Sequence, residues 1–299
     1  MMYANSITKV VIPMAGLGTR VLPLTKSVSK SMLAVVDKPA LQHVVDEALA
    51  SAITDFCFII NTEEQEAIEY YFSSNTPLDA VLKQRNKTYL LAQLNESIAR
   101  SSFTYIPQPE PLGLGHAVLM AEEFVKPDQF FCVMLPDNII ESDDPHMAHL
   151  IALAHHYNAS IITIEEVTKQ EASLYAVITP KQFISDDLIE VGDIIEKPKP
   201  DQVQYCLGQV GRHVLSVDVF DALKRIGPGV GGEIQLTDAV RLMIQEGKRV
   251  LAYKLHGKRH DTGNIRGLLE TTVSLGLHNP LYRPMLLSLF ENEMLKITT

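Results

Sequence analysis

Apolar runs of strand length return again and again along this chain, and most are followed by a segment whose apolar residues fall three and four apart. Val10 to Met14, Phe56 to Ile60, Phe103 to Ile106, Phe130 to Leu135, Ser160 to Glu165 and Val210 to Leu215 read as strands. Lys38 to Ser51, Gln65 to Phe72, Gly115 to Phe124 and Met147 to His156 read as helices, the first through Leu41, Val44, Val45, Ala48 and Leu49. Strands apolar on both faces must be covered on both faces, and helices between them supply the cover. The expected class is therefore α/β, with a mostly parallel central sheet flanked by helices. At 299 residues with no abrupt change in composition, one domain with elaborations is expected. Residues 1–264 form its body. Residues 265–299 read as a helical extension broken at Asn279-Pro280 and Arg283-Pro284, packed on the same domain or used as a dimer contact.

The first strand runs directly into Gly16-Leu17-Gly18-Thr19-Arg20, and Lys30 follows eleven residues after Arg20's neighbour Thr19. Glycines let backbone approach an anion and leave N–H groups aimed at it, while Arg20 and Lys30 can neutralise a triphosphate. Two better-known phosphate loops fail on spacing. A Walker loop needs Gly-Lys-Ser/Thr shortly after its first glycine, and a dinucleotide loop needs a third glycine where this chain has Val21. Asp37 is then no ribose ligand. Taken alone, the loop reads equally well as a structural turn.

The formal net charge of −10, with no Lys/Arg cluster, argues against nucleic acid as a partner. No apolar run is long enough to cross a bilayer, and Met1 to Lys9 has no signal-peptide core, so no membrane partner is expected. Cys57, Cys132 and Cys206 are odd in number and widely spaced, which fits buried free thiols in a reducing, cytoplasmic compartment. His146, His149, His155 and His156 lack the spacing of a zinc site and read as surface or helix residues.

Further segments add chemistry. Gln108-Pro-Glu-Pro-Leu-Gly113-Leu-Gly115-His116 is a second glycine-rich turn, suited to a flat base lying on bare backbone with Gln108 as donor and acceptor. Asp137 follows one buried strand, and Asp261 follows another, Val250 to Leu255; two carboxylates at strand ends can hold one Mg2+ on phosphate oxygens. Either Asp alone could equally be a loop or cap residue. Glu196-Lys197 places a carboxylate for sugar hydroxyls beside a cation for a phosphate. Glu233 to Asp238 reads as a helix start capped by Thr237 or Asp238.

These segments together resemble the bacterial UTP-glucose-1-phosphate uridylyltransferases of the sugar nucleotidyltransferase superfamily. The resemblance is carried by Ile12 to Arg20, Asp37 to Pro39, Gly113 to Ala117, Leu135 to Asp137, Glu196 to Pro198, Val210 to Arg212, Glu233 to Ala239 and Asp261 to Asn264, in family order from residue 9 to about 278. It implies a Rossmann-like nucleotidyltransferase fold with a mixed, mostly parallel sheet, and a homodimer or homotetramer. It implies that Ala15, Gly16, Leu17, Gly18, Gln108 and Gly113 hold the uridine of UTP. Arg20 and Lys30 would act with Asp137 on the triphosphate, and Asp137 and Asp261 would carry Mg2+. Ala176, Glu196 and Lys197 would face glucose 1-phosphate. The products would be UDP-glucose and pyrophosphate.

Two departures stand out. Where such chains commonly carry Lys-Glu-Met-Leu-Pro, this one has Lys30-Ser31-Met32-Leu33-Ala34, and where they carry Tyr-Gly it has Tyr175-Ala176. The rival readings are a thymidylyltransferase or other sugar-1-phosphate nucleotidyltransferase on the same scaffold, and a regulatory paralogue of low activity. The intact Arg20, Lys30, Asp137 and Asp261 favour an enzyme.

Overall fold

A computed structural model describes residues 7–126 and 128–298; the N-terminal segment tested for a signal-peptide core lies mostly outside them. The strands are β1 Lys9–Pro13, β2 Ala34–Val35, β3 Lys38–Pro39, β4 Asp55–Ile60, β5 Ser102–Pro107, β6 Phe130–Met134 and β7 Asn138–Glu141. They continue with β8 Ser160–Glu166, β9 Ala176–Phe183, β10 Leu188–Glu196, β11 Leu207–Ser216, β12 Val250–Lys254 and β13 Lys258–Asp261. The helices are α1 Ala40–Ala50, α2 Gln65–Tyr71, α3 Pro77–Gln84, α4 Ala92–Ala99, α5 Leu114–Met120 and α6 Glu122–Val125. Then come α7 His146–Tyr157, α8 Asp218–Arg225, α9 Leu236–Gln245, α10 Ile265–His278 and α11 Arg283–Thr298.

Nine strands form one sheet in the order β5-β4-β1-β6-β11-β8-β12-β10-β9. The four strands from β5 to β6 are parallel, β11 runs against both of its neighbours, β8 and β12 are parallel, and β10 runs against β12 and β9. Only β10 and β11 therefore oppose the rest, which makes the sheet mixed and mostly parallel. The burial of β6 is continuous, so helices must cover both faces, and the core divides accordingly. On one face Val11, Phe131, Phe220 and Val240 pack with α5, α8 and α9; on the other Val10, Phe58, Leu41 and Leu150 pack with α1 and α7.

Several expectations are corrected. Gly115 to Phe124 is not one helix: it breaks at Ala121 into α5 and α6. Asp261 does not follow the Val250 strand directly but ends its own strand, β13, paired with β7. Neither Thr237 nor Asp238 caps α9, whose N-cap is Gln235. The tail breaks at Asn279-Pro280 only, because Pro284 sits in the first turn of α11, where a missing N–H costs nothing. Thr76 caps α3, accepting from the Asp79 N–H. Cys57 and Cys132 are buried and Cys206 half-buried, all free. Burial pushes the Cys57 thiol up to about 12. His146 is buried in its helix, 2.8 Å from the Thr163 hydroxyl.

Candidate functional site

Strand β1 leads through α1 to β4, towards the β5 edge of the strand order, whereas β6 leads through α7 to β8, towards the β9 edge. The gap between adjacent β1 and β6 is thus where the winding reverses, the place where an open α/β sheet offers a crevice. The loops after β1, β5 and β6 wall a cavity of about 530 Å³ there. All six residues expected around the uridine line it: Ala15, Gly16, Leu17, Gly18, Gln108 and Gly113. Gly18 has φ +61°, a conformation that disfavours any side chain, and its carbonyl accepts from the Thr25 hydroxyl at 2.9 Å. The N–H groups of Ala15, Gly16, Leu17 and Gly18 donate to no protein acceptor among the described residues, so the loop presents bare donors. Opposite, Gln108 is anchored by its N–H to the Ile60 carbonyl at 2.7 Å and by its side-chain amide to His116 Nδ1 at 2.8 Å. Gly113 is required by packing as well as by any ligand, for a Cβ there would stand 2.7 Å from the Glu233 Cβ.

Arg20, Lys30 and Asp137 reach the floor of the same cavity. Lys30 Nζ donates to Asp137 Oδ2 at 2.7 Å, and Asn138 Nδ2 donates to Oδ1 at 2.9 Å. Burial alone would raise the Asp137 carboxyl, but the Lys30 ammonium, these two hydrogen bonds and Arg20 hold it below the ordinary range, so it is ionised. Asp261 Oδ1 accepts from the Gly263 N–H at 2.8 Å. A Cβ on Gly263 would meet Asp261 Oδ1 at 2.9 Å, Arg20 Nη2 at 3.0 Å and Asp137 Oδ2 at 3.3 Å. Two carboxylates and a guanidinium thus converge where a side chain is missing. Hard oxygen donors in this number suit Mg2+, which keeps several waters and asks for one or two protein carboxylates. Among the described residues no third acid, His or Cys completes a protein-only cage.

A second cavity, about 640 Å³, opens beyond Asp137; Arg20, Leu114, Leu135 and Asp137 border both. Ala176, Glu196 and Lys197 line it, as do Thr237, Arg259 and Asp261. Glu196 lies opposite Ala176 in the β9/β10 pairing, which brings these expected partners together. Thr237, the second residue of α9, donates its Oγ1 to Glu196 Oε2 at 2.8 Å. Lys197 has φ +44° and donates its N–H to the Tyr175 carbonyl at 2.9 Å. Arg259 donates to Glu165 Oε1 and, at 2.7 Å, to the Tyr175 hydroxyl, while its Nη1 stands 4.0 Å from Asp261 Oδ2. His213 lines the same cavity; burial and the neighbouring Arg212 push its imidazole down to about 3, so it is neutral there.

The model of the nucleotidyl transferase family matches residues 9–276, which contain every loop just described. The chain belongs to the nucleotidyl transferase family. It is 38% identical over 288 residues to the UTP–glucose-1-phosphate uridylyltransferase YngB of Bacillus subtilis, covering 96% of each chain. Among solved structures it is similar to a UTP-bound UDP-glucose pyrophosphorylase of Acinetobacter baumannii, with a TM-score of 0.86 at 34% identity over 95% of this chain and 98% of that one. It is likewise similar to a UDP-glucose pyrophosphorylase complexed with UDP-glucose, with a TM-score of 0.83 at 33% identity over 91% of this chain and all of the other.

In this nucleotidyl transferase every site residue expected from the sequence lies on one of the two cavities. Thr237, Arg259 and His213 were not anticipated as site residues. Thr237 was read as a cap, and the other two sit in strands where only the sheet pairing reveals what they face. Alternation was the available signal for Arg259: it points to the side of β13 opposite the buried His260.

Proposed function

We infer that the chain transfers a uridylyl group from UTP to glucose 1-phosphate, giving UDP-glucose and pyrophosphate, as its family relatives are named for doing. The observation that carries this reading is the shared wall: a cavity of free N–H donors and cations meets a cavity with Glu196 beside Lys197 at Arg20 and Asp137. In the reading, Ala15 to Gly18 with Gln108 and Gly113 take the nucleoside, Arg20 and Lys30 the triphosphate, and Glu196, Lys197 and Ala176 the sugar phosphate. A phosphate oxygen of glucose 1-phosphate attacks the α-phosphorus in line, the bond to the pyrophosphate oxygen breaks, and pyrophosphate leaves with that electron pair. The attacking oxygen is already anionic, so no proton need be removed. The work of the residues is to hold two polyanions in line and offset their repulsion. Asp137 and Asp261 would hold Mg2+, which supplies neutralisation of charge at phosphate oxygens.

Pure protein with UTP, glucose 1-phosphate and Mg2+ is expected to release pyrophosphate, and faster than with dTTP. A folded protein that releases none with any hexose 1-phosphate tested would sink the reading. The reading extends to a cytoplasmic homodimer or homotetramer, supported by the exposed apolar Leu281, Met285, Leu287 and Phe290 along and just before α11. Light scattering giving the mass of one chain would remove that part.

A further inference from the structure

Arg212 is one of the largest fully buried side chains of the molecule, yet it reaches neither cavity. A charge out of water is tolerated only when each of its donors is satisfied. Nε donates to Glu47 Oε2 at 3.0 Å and Nη2 to the same oxygen at 2.8 Å. The pairing with Glu47 occupies two N–H groups; the other three go to carbonyls. Nη1 donates to Leu135 O at 3.1 Å and Gly211 O at 2.9 Å, and Nη2 to Asn138 O at 2.7 Å. Leu135 and Asn138 flank Pro136-Asp137, the turn that begins where β6 ends.

We propose that Arg212 is a positioning residue for the transfer, fixing the Leu135–Asn138 turn so that Asp137 faces Lys30 and Asp261. The inference rests on the uridylyl-transfer reading for its kinetic consequence but not for its structural one. The local fold supports it. The β11/β8 register shifts between Val210 and His213, and such an irregularity re-aims side chains out of a ladder. Gly211 O accepts from the Leu135 N–H at 2.9 Å, and a Cβ on Gly211 would stand 2.7 Å from the Leu135 Cβ, so β11 grips the turn's first residue closely. From the other side, the Thr262 N–H donates to Asp137 O at 2.8 Å. The turn is thus clamped between β11 and the segment that carries Asp261. Its side chain stands on the wall shared by both cavities, where a displacement of about 1 Å costs on the order of 100-fold in rate.

Arg212→Lys tests this, because an ammonium keeps the charge beside Glu47 but lacks the planar fork that reaches two carbonyls at once. Hydrogen exchange should accelerate at least tenfold in residues 133–140 and 258–264 while the amides of β1 and β4 keep their protection. In the same protein kcat should fall on the order of 100-fold, with the KM for UTP and for glucose 1-phosphate within a few-fold of the parent. Combining Arg212→Lys with Asp137→Asn should cost no more than Asp137→Asn alone, whereas a merely structural role would multiply the losses. A folded Arg212→Lys protein with unchanged exchange in those two segments, or with parental kcat, overturns the proposal. If that variant does not fold, Arg212→Met with Glu47→Leu removes the pair without orphaning a charge, and the same readings apply. A parent without transfer activity would fail the uridylyl-transfer reading; the exchange pattern would still decide the role of Arg212.

Discussion

The two cavities that meet at Asp137 are made of different material. The first is walled by the loops after β1, β5 and β6, with glycines at Gly16, Gly18 and Gly113. The second is lined from β9, β10, α9 and β13, and two of its side chains are tethered to partners distant in sequence: Thr237 on Glu196, Arg259 on Glu165 and Tyr175. A wall of backbone tolerates changes of side chain and fails when a Cβ or a φ value intrudes. A wall of tethered side chains fails when a tether is cut.

The largest effect should come at the shared border, where the distinction vanishes. Asp137→Asn is expected to lower kcat by roughly 100- to 1000-fold, the scale of one lost electrostatic group at a transferring centre, with circular dichroism unchanged. Near-normal turnover would remove Asp137 from the catalytic set. Next, Thr237→Val leaves Glu196 without its hydroxyl donor; a hydrogen bond to a charged group contributes about 1.5–3 kcal/mol, so the KM for glucose 1-phosphate should rise roughly 10- to 150-fold while that for UTP stays put. Gly18→Ala is the converse. It forces an L side chain to φ +61° with its Cβ 3.0 Å from Thr25 Cγ2, at a cost of about 1–2 kcal/mol. The KM for UTP should rise roughly five- to 30-fold and the sugar-phosphate KM should not. If both KM values moved together in either variant, the division into two kinds of wall would fall.

Ala176→Gly is expected to have the smallest effect. One methyl in a close contact costs about 1–3 kcal/mol, but Ala176 is only 7% exposed and packs into the core beneath the cavity. The lower end applies, and the KM for glucose 1-phosphate should drop about fivefold. An unchanged or raised KM would mean that the methyl faces only the core.

This division also explains what could be read from the chain. The strands read from apolar runs all appear, and the glycine-rich loops were legible because glycines and strand ends are local signals. Strands β9 and β10 were not, since Pro180, Lys181 and Asp193 interrupt the apolar pattern of strands at the margin of the sheet. Glu196 and Lys197 were found by their neighbourhood in sequence, whereas Thr237 and Arg259 become site residues only through the strand order, which no local pattern contains. Arg212 is the extreme case: it stood in a recognisable motif, yet its proposed role depends on the carbonyls of the turn after β6 that lie within its reach.

The Lys30–Asp137 pair has a consequence for what the floor admits. Its carboxylate is ionised, so the pair is made above the usual Asp range and released only as pH falls through the depressed value. A visiting anion therefore does not find a free ammonium; it must compete with a partner already seated 2.7 Å away. A singly charged ion offers Lys30 little more than it has, while a chain of three phosphates offers several oxygens to Lys30 and Arg20 at once. On the uridylyl-transfer reading, the floor would then set a threshold on valence, being occupied from within.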